Sequence, residues 1–144
     1  MTSTGLVVGL GNPDRGDDAA GILTVRRLRG RRRVEEVTDC STLLHLWEDE
    51  PDVTVIDATV SDAEPGTVRR FDGLSDNLPS GPHRSTHSLG LAEVIELARA
   101  LDRLPARLTI YGIEASSFRH GEPLSPGVEL AVETLATSLG AGSD

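Results

Sequence analysis

Lysine is absent from this chain of 144 residues, and cysteine and aromatic residues are scarce. Without lysine, the protein cannot form a Schiff base or use the lysine of a phosphate-binding P-loop. Because Cys40 is the only cysteine, no disulfide can form within the chain. Aromatic residues make up only 3% of the sequence, so the hydrophobic core has to be built from aliphatic side chains.

Long hydrophobic runs and an excess of positive charge are also missing. No apolar stretch approaches the roughly 20 residues that span a bilayer, and residues 1–4 lack the basic region of a signal peptide. The formal net charge of −9 disfavours nucleic acid as a partner, because affinity for nucleic acid depends on neutralising phosphates. We therefore expect a cytoplasmic protein that binds neither membranes nor nucleic acid.

The basic residues, all arginine, concentrate in one run at 26–33. The simpler interpretation is a solvated helix end whose arginine side chains complement the helix macrodipole. The alternative is a docking patch for an acidic partner.

Strand-like apolar runs alternate with helical patterns along the chain, which is typical of a sheet built from βαβ units. Strands are predicted at 5–10, 34–38, 53–58, 67–71 and 107–113, and helices at 18–29, 41–50, 89–101 and 125–140. Ser41 or Thr42 is expected to cap the second helix, and Ser125 the last one. Because the sequence contains no linker-like segment, we predict one domain, 1–144. Its predicted fold is α/β, a three-layer sandwich in which a mostly parallel, twisted sheet of about five strands lies between two helical layers.

The most informative segment is GLGNPDRGDDAAG at 9–21, which follows the first strand and leads into a helix. Its carboxylates should therefore lie at the carboxyl end of that strand, where open α/β sheets bind ligands. Two adjacent acids at a helix N-terminus are unsuited to holding phosphate, which argues against a dinucleotide-binding loop.

Four side chains are the candidates for chemistry. Asp17 and Asp18 follow the first strand, Asp57 ends the third strand, and His87 precedes a helix. If the first and third strands are neighbours, these residues face one crevice. Two carboxylates and one imidazole make a suitable three-ligand set for a divalent transition metal with open positions.

Each candidate also has a simpler interpretation. Asp17 and Asp18 could cap the first helix, and Asp57 could be a turn residue at the end of a strand. His87 could cap or pack at a helix start. Cys40 could be a soft ligand close to the site or a buried, inert thiol.

Four separated blocks of the chain carry a resemblance to a known family. They are GLGN with the following Asp17-Asp18, VIDA at 55–58, His87-x2-Gly90-Leu91, and YGIEASSF at 111–118 with LSP at 124–126. In order and spacing they resemble the hydrogenase maturation endopeptidases, which trim the C-terminal extension from the large subunit of NiFe hydrogenases. The likeness covers nearly the whole chain.

The resemblance implies that Asp18, Asp57 and His87 contact nickel. The family's metal is placed beforehand in the precursor's active site, so nickel arrives with the substrate. The expected partner is the hydrogenase large-subunit precursor, which a monomeric protease meets transiently. The implied reaction is peptide hydrolysis assisted by the metal, which could polarise the scissile carbonyl or position a water molecule.

Further roles are hypotheses built on this scheme. Asp17 is a candidate for supporting a ligand or transferring a proton. The backbone N–H groups of Gly11 and Asn12 are candidates for orienting the substrate chain. Glu114 follows a strand end and is a candidate substrate contact.

One departure from the family pattern leaves other functions open. Many members carry a Gly-Gly-Thr type segment after the second strand, whereas Asp39-Cys40-Ser41-Thr42 stands here. The alternative function is a nickel-site-binding assembly protein or chaperone that does not cut. VGLGNP at 8–13 also resembles the start of bacterial peptidyl-tRNA hydrolases, but the histidine segment expected soon after it is missing.

Overall fold

A five-stranded sheet forms the middle of the protein in the computed structural model, which describes residues 5–78 and 90–141. Its strands are β1 (Leu6–Leu10), β2 (Arg33–Val37), β3 (Asp52–Thr59), β4 (Val68–Asp72) and β5 (Arg107–Glu114). Across the sheet they lie in the order β2-β1-β3-β5-β4. Every pair is parallel except β4 with β5, which is antiparallel. The predicted mostly parallel, five-stranded sheet is confirmed.

Helices cover both faces of this sheet. They are α1 (Ala20–Leu28), α2 (Leu43–Leu46), α3 (Leu91–Ala100) and α4 (Pro126–Gly140). Side chains alternate along each strand, so successive residues belong to opposite faces. On one face, side chains of α2 and α3 pack in a cluster with Val8 and Val55. On the other, side chains of α1 and α4 pack with Val7 and Ile56. The three-layer arrangement is confirmed, and its core is almost entirely aliphatic.

The crossovers define where a ligand crevice can form. The connection from β1 to β2 runs through α1, and the connection from β2 to β3 runs through α2 on the opposite face. The chain leaves β1 towards β2 on one side and leaves β3 towards β4 and β5 on the other, so the strand order reverses between β1 and β3. Such a reversal opens a crevice at the carboxyl ends of the two strands. β1 and β3 are directly paired from Leu6↔Val53 to Gly9↔Ile56. The predicted neighbourhood of the first and third strands is confirmed.

The second helix is much shorter than predicted. A 3₁₀ turn at Cys40–Thr42 leads into α2, and the chain leaves helical structure after Leu46. Two features of the next residues explain this early end. Residues 48–50 read Glu-Asp-Glu, which opposes the macrodipole at a helix C-terminus, and Pro51 disfavours helix in the residue before it. Trp47 is nevertheless completely buried, as its apolar position indicated.

Helix caps also differ from expectation. Asp39, rather than Ser41 or Thr42, provides the side-chain acceptor at the 3₁₀ turn, taking the Ser41 N–H at 3.0 Å. Ser125 does occupy the position before α4, but its hydroxyl makes no capping bond to that helix. Among the described residues, no helix is long and apolar enough to cross a membrane.

Candidate functional site

Asp18 lies in a 3₁₀ segment, Gly16–Ala19, that joins the loop after β1 to α1. Its side chain is completely buried. The loop folds back on itself because the Asn12 N–H donates to the Asp18 carbonyl at 3.2 Å. Gly11 makes this closure possible: its φ is +150°, and a Cβ there would lie 2.0 Å from the Asp18 carbonyl oxygen. The glycine-rich motif thus carries a buried carboxylate back to the end of β1.

Asp57 lies within β3, two residues before the strand ends, and is 4% exposed. It alternates with Val53 and Val55, so it belongs to the face covered by α2 and α3. Ile56, immediately before it, pairs with Gly9 of β1. The segment carrying Asp18 also contacts β3. Both buried carboxylates therefore belong to the carboxyl edge of the neighbouring strands β1 and β3.

For Asp57 and Asp17, the simpler interpretations as turn residue and helix cap do not describe the observed contacts. Asp57 belongs to the β-ladder, opposite Gly112, rather than to a turn. Ala19 occupies the N-cap position of α1, and the Asp17 carboxylate accepts from Ser116, Ser117 and Ser125. The cap interpretation of Asp18 stays open.

His87, the predicted imidazole ligand, lies outside the described residues. Within 5–78 and 90–141, no three His, Cys, Asp or Glu side chains come together as a metal site. The three-ligand set of Asp18, Asp57 and His87 therefore stays a prediction. The described residues include two of the three ligands, Asp18 and Asp57. Cys40, the alternative soft ligand, is buried in the core cluster that includes Leu43 and Trp47.

Asp17 connects the 3₁₀ segment to the loop that precedes α4. Its Oδ2 accepts hydrogen bonds from the N–H groups of Ser116 (2.8 Å) and Ser117 (3.1 Å) and from the Ser125 hydroxyl (2.8 Å). Its Oδ1 accepts from the Ser125 N–H at 2.7 Å. The Asp17 N–H in turn donates to the Ser117 carbonyl at 2.8 Å. The side chain is 1% exposed, so these contacts hold two loops of the carboxyl edge together.

Glu114 plays a similar part on the other side of the edge. Its carboxylate accepts from the N–H of Ser61 (2.8 Å), from the Ser61 hydroxyl (2.7 Å) and from the Thr59 hydroxyl (3.3 Å). Glu114 is 3% exposed. These bonds fix the chain that leaves β3, and they occupy both carboxylate oxygens. The role of Glu114 as a substrate contact stays a prediction.

The N–H groups assigned to substrate binding are engaged within the chain. The Gly11 N–H donates to the Val37 carbonyl at 3.0 Å, and the Asn12 N–H to the Asp18 carbonyl. A substrate contact at Gly11 or Asn12 would have to use another atom, and it stays a prediction.

Sequence reasoning missed the serines that hold these carboxylates. Ser61, Ser116 and Ser117 lie in loops, where serine is common, and nothing in their spacing distinguishes them. For Ser125 a signal existed, since it precedes a proline at a helix start, but that pattern indicates a cap. Its actual partner, Asp17, is 108 residues away in the chain.

Comparison with known proteins gives consistent matches. A family model described as hydrogenase maturation protease matches residues 31–140. The chain is 30% identical to the hydrogenase 2 maturation protease of Escherichia coli K12 over 138 residues, covering 89% of this chain and 83% of that protein. Among solved structures, the hydrogenase maturating endopeptidase HybD from E. coli superposes with a TM-score of 0.74 at 26% identity, covering 95% of this chain and 90% of that one. The NiFe hydrogenase maturation protease HybD from Thermococcus kodakarensis gives 0.73 at 26% identity, covering 98% and 100%.

Proposed function

The chain belongs to the hydrogenase maturation protease family and is a peptidase, and from this we propose that it removes the C-terminal extension of a NiFe hydrogenase large-subunit precursor after nickel has been inserted. In this proposal the nickel is part of the substrate and arrives in the precursor. Nickel dependence is supported by the donor set of the site, and the C-terminal cut by the resemblance to the family.

The observation that carries the proposal is the pair of buried carboxylates at the β1/β3 edge. Asp18 and Asp57 are 0% and 4% exposed, yet they belong to the crevice where α/β proteins bind ligands. Carboxylate oxygens and an imidazole suit a borderline divalent metal, and they leave positions for ligands that the precursor supplies. This donor set fits nickel that is already partly coordinated. The third side-chain ligand in the proposal is His87.

The residues of this chain have distinct tasks in the reaction. Asp18 and Asp57 hold the metal-bearing part of the precursor, which brings the adjacent peptide bond to the crevice. Asp17 positions Asp18, its neighbour in the chain, by tying the 3₁₀ segment to the loop before α4. When bound, the metal supplies Lewis acidity towards the scissile carbonyl. In hydrolysis, water adds to that carbonyl carbon, the C–N bond breaks, and the departing amine takes up a proton.

Mass spectrometry of the precursor tests this function directly. The purified protein is incubated with the nickel-loaded large-subunit precursor and, in parallel, with the same precursor prepared without nickel. We expect one new mass, shorter by the C-terminal extension, in the nickel-loaded sample only. Cleavage of both samples would contradict nickel dependence. Nickel-dependent binding without any mass change would instead support the assembly-protein alternative.

A further inference from the structure

An exposed arginine lies in the same row of the sheet as Asp57. Asp57 pairs with Gly112 of β5, and Gly112 pairs with Arg69 of the edge strand β4. Residues directly opposite each other across a ladder point to the same face. Arg69 therefore shares the face of Asp57, two strand spacings away, or about 10 Å between backbones. The glycine between them contributes no side chain to the row.

Arg69 is held in place by the network around Glu114. Its Nη2 donates to the Ser61 hydroxyl oxygen at 3.1 Å, and that hydroxyl donates to Glu114. The guanidinium carbon lies 5.6 Å from the centroid of the Phe71 ring. Because Ser61 follows the carboxyl end of β3, this bond directs the guanidinium towards the edge that contains the candidate site. The group is thus ordered before any ligand binds, which lowers the entropic cost of binding.

The positive charge of Arg69 has no ion-paired carboxylate among the described residues. Most arginines of the run at 26–33 do have one: Glu36, Glu50 and Glu133 form ion pairs with four of them. The recorded polar partner of Arg69 is the neutral Ser61 hydroxyl. In a chain with a net charge of −9, an ordered and exposed guanidinium without a carboxylate partner is suited to an anionic group from another molecule.

We propose that Arg69 is a specificity-determining residue of the protease and binds a carboxylate of the precursor polypeptide beside Asp57. A guanidinium presents five N–H donors in a planar fork that matches a carboxylate. One of these donors is used on Ser61, which leaves the others for the ligand. The carboxylate is either the terminal one of the C-terminal extension or an acidic side chain near the cut. This inference rests on the proposed function, because it identifies how the same site recognises its substrate.

Steady-state cleavage of the nickel-loaded precursor tests the role of Arg69. We expect Arg69→Gln to raise KM about 10-fold, the usual worth of a charge-assisted hydrogen bond, with kcat within about twofold of wild type. Arg69→Lys keeps the charge but loses the fork, so it should recover only part of the affinity. Arg70→Gln is the matched control, because Arg70 is the next residue of β4, is also exposed, and points to the opposite face. It should leave KM unchanged.

Precursor variants separate recognition from a merely structural effect. Precursors are prepared with an amidated C-terminus or with acidic side chains near the cut changed to amides. One of these changes removes the carboxylate that Arg69 binds. On that precursor, wild type and Arg69→Gln should have the same KM. The precursor that gives this result shows whether Arg69 binds the terminal carboxylate or an acidic side chain. An equal penalty of Arg69→Gln on every precursor would overturn the proposal, as would an unchanged KM.

Binding measurements distinguish failure of this proposal from failure of the proposed function. Calorimetric titration with a synthetic peptide of the C-terminal extension and the residues before it requires no cleavage. We expect the dissociation constant to rise about 10-fold in Arg69→Gln and to stay constant in Arg70→Gln. Equal constants for wild type and Arg69→Gln would refute the role of Arg69 even if the precursor is cut. A precursor that is never cut by wild type would refute the function, while the peptide titration still decides on Arg69.

Discussion

The Asp17 carboxylate accepts two hydrogen bonds from Ser125, one from its N–H at 2.7 Å and one from its hydroxyl at 2.8 Å. Asp17 lies before α1 and Ser125 before α4, two helices that pack on the same face of the sheet. Ser125 therefore anchors the start of α4 to the segment that carries Asp18, instead of capping its own helix. The relationship links the most acidic part of the glycine-rich motif to the last helix of the fold.

Replacing Asp17 should destabilise the protein strongly. In Asp17→Ala, the N–H groups of Ser116, Ser117 and Ser125 lose an acceptor that is itself 1% exposed. Each unsatisfied group costs about 1–3 kcal/mol, so we expect a loss of about 3 kcal/mol or more in the free energy of unfolding. Ser125→Ala removes only the hydroxyl bond and should cost about 1 kcal/mol. Urea denaturation measures both. Equal stabilities for wild type and Asp17→Ala would contradict the anchoring role.

Replacing Asp57 should affect cleavage far more than stability. Asp57→Asn keeps the shape of the side chain but removes a charged ligand, so we expect cleavage of the nickel-loaded precursor to fall about 100-fold or more. Its melting temperature should be equal or higher, because residues kept for function are often not optimal for stability. Asp52→Asn is the control, since Asp52 lies at the opposite end of β3. Full activity of Asp57→Asn would rule out its role as a ligand.

The helix α1 approaches the sheet so closely that a methyl group does not fit at Gly21. A Cβ there would lie 2.1 Å from the Ile56 carbonyl oxygen and 2.8 Å from that of Leu10. Both neighbours are strand backbone and cannot move alone. Gly21→Ala should therefore cost about 3 kcal/mol in the free energy of unfolding, at the upper end for overpacked sites.

The matched control for Gly21→Ala is Gly140→Ala at the end of α4. There the new Cβ would meet the ends of flexible side chains at 3.3 Å or more. We expect this variant to change stability by less than about 1 kcal/mol. Similar urea midpoints for the two variants would show that stability does not depend on the close approach of α1 to the sheet at Gly21. Because Ile56 precedes Asp57, Gly21→Ala should also lower cleavage per folded molecule.

Glu36 should stabilise the fold at neutral pH and cease to do so in acid. Hydrogen bonds from Arg26, the largest cause, together with Arg29 lower the pKa of Glu36 from its ordinary value of 4.5. A carboxyl whose pKa is lower in the folded state stabilises that state above its ordinary pKa, and loses this effect as pH falls through the lowered value. The arginines are largely exposed, so we expect Glu36→Gln to cost only about 0.5 kcal/mol at pH 7.

Urea denaturation of wild type and Glu36→Gln over a pH series measures this effect. The two stabilities should converge as pH decreases from about 7 to about 3, and also in about 1 M salt, which screens exposed charges. Glu133→Gln provides a comparison, because Glu133 lies 3.8 Å from Arg27 and both side chains are about half exposed. Its effect should be smaller. A difference for Glu36→Gln that grows in acid would contradict the assignment.

The same ion pairs bear on the arginine run at 26–33. Arg26 and Arg29 share Glu36, Arg33 pairs with Glu50, and an Arg32 N–H donates to the Leu139 carbonyl. These contacts favour the interpretation of a solvated surface over that of a docking patch for an acidic partner. The sequence contained the acidic residues, but not which of them would come close in space.

The sequence alone determined the sheet, its aliphatic core and the place of the acids along the chain. Periodicity and β-branched runs depend on local chemistry, and for that reason β1, β3 and α4 were predicted close to their actual bounds. The prediction was wrong at the end of α2, where local signals competed. The apolar helical pattern is followed there by three acidic residues and Pro51, and the helix ends early.

Only the tertiary structure decided how the carboxylates are used. Asp17, Asp18 and Glu114 are all acids next to strand or helix ends, and their sequence neighbourhoods do not distinguish ligand, anchor and cap. The partners of Asp17 are about 100 residues away, and those of Glu114 more than 50. Hydrogen bonds across such separations depend on strand order and helix docking, which no local pattern encodes. The alignment of Asp57, Gly112 and Arg69 in one row also depends on the tertiary structure, because it is set by the register of three strands in the sheet.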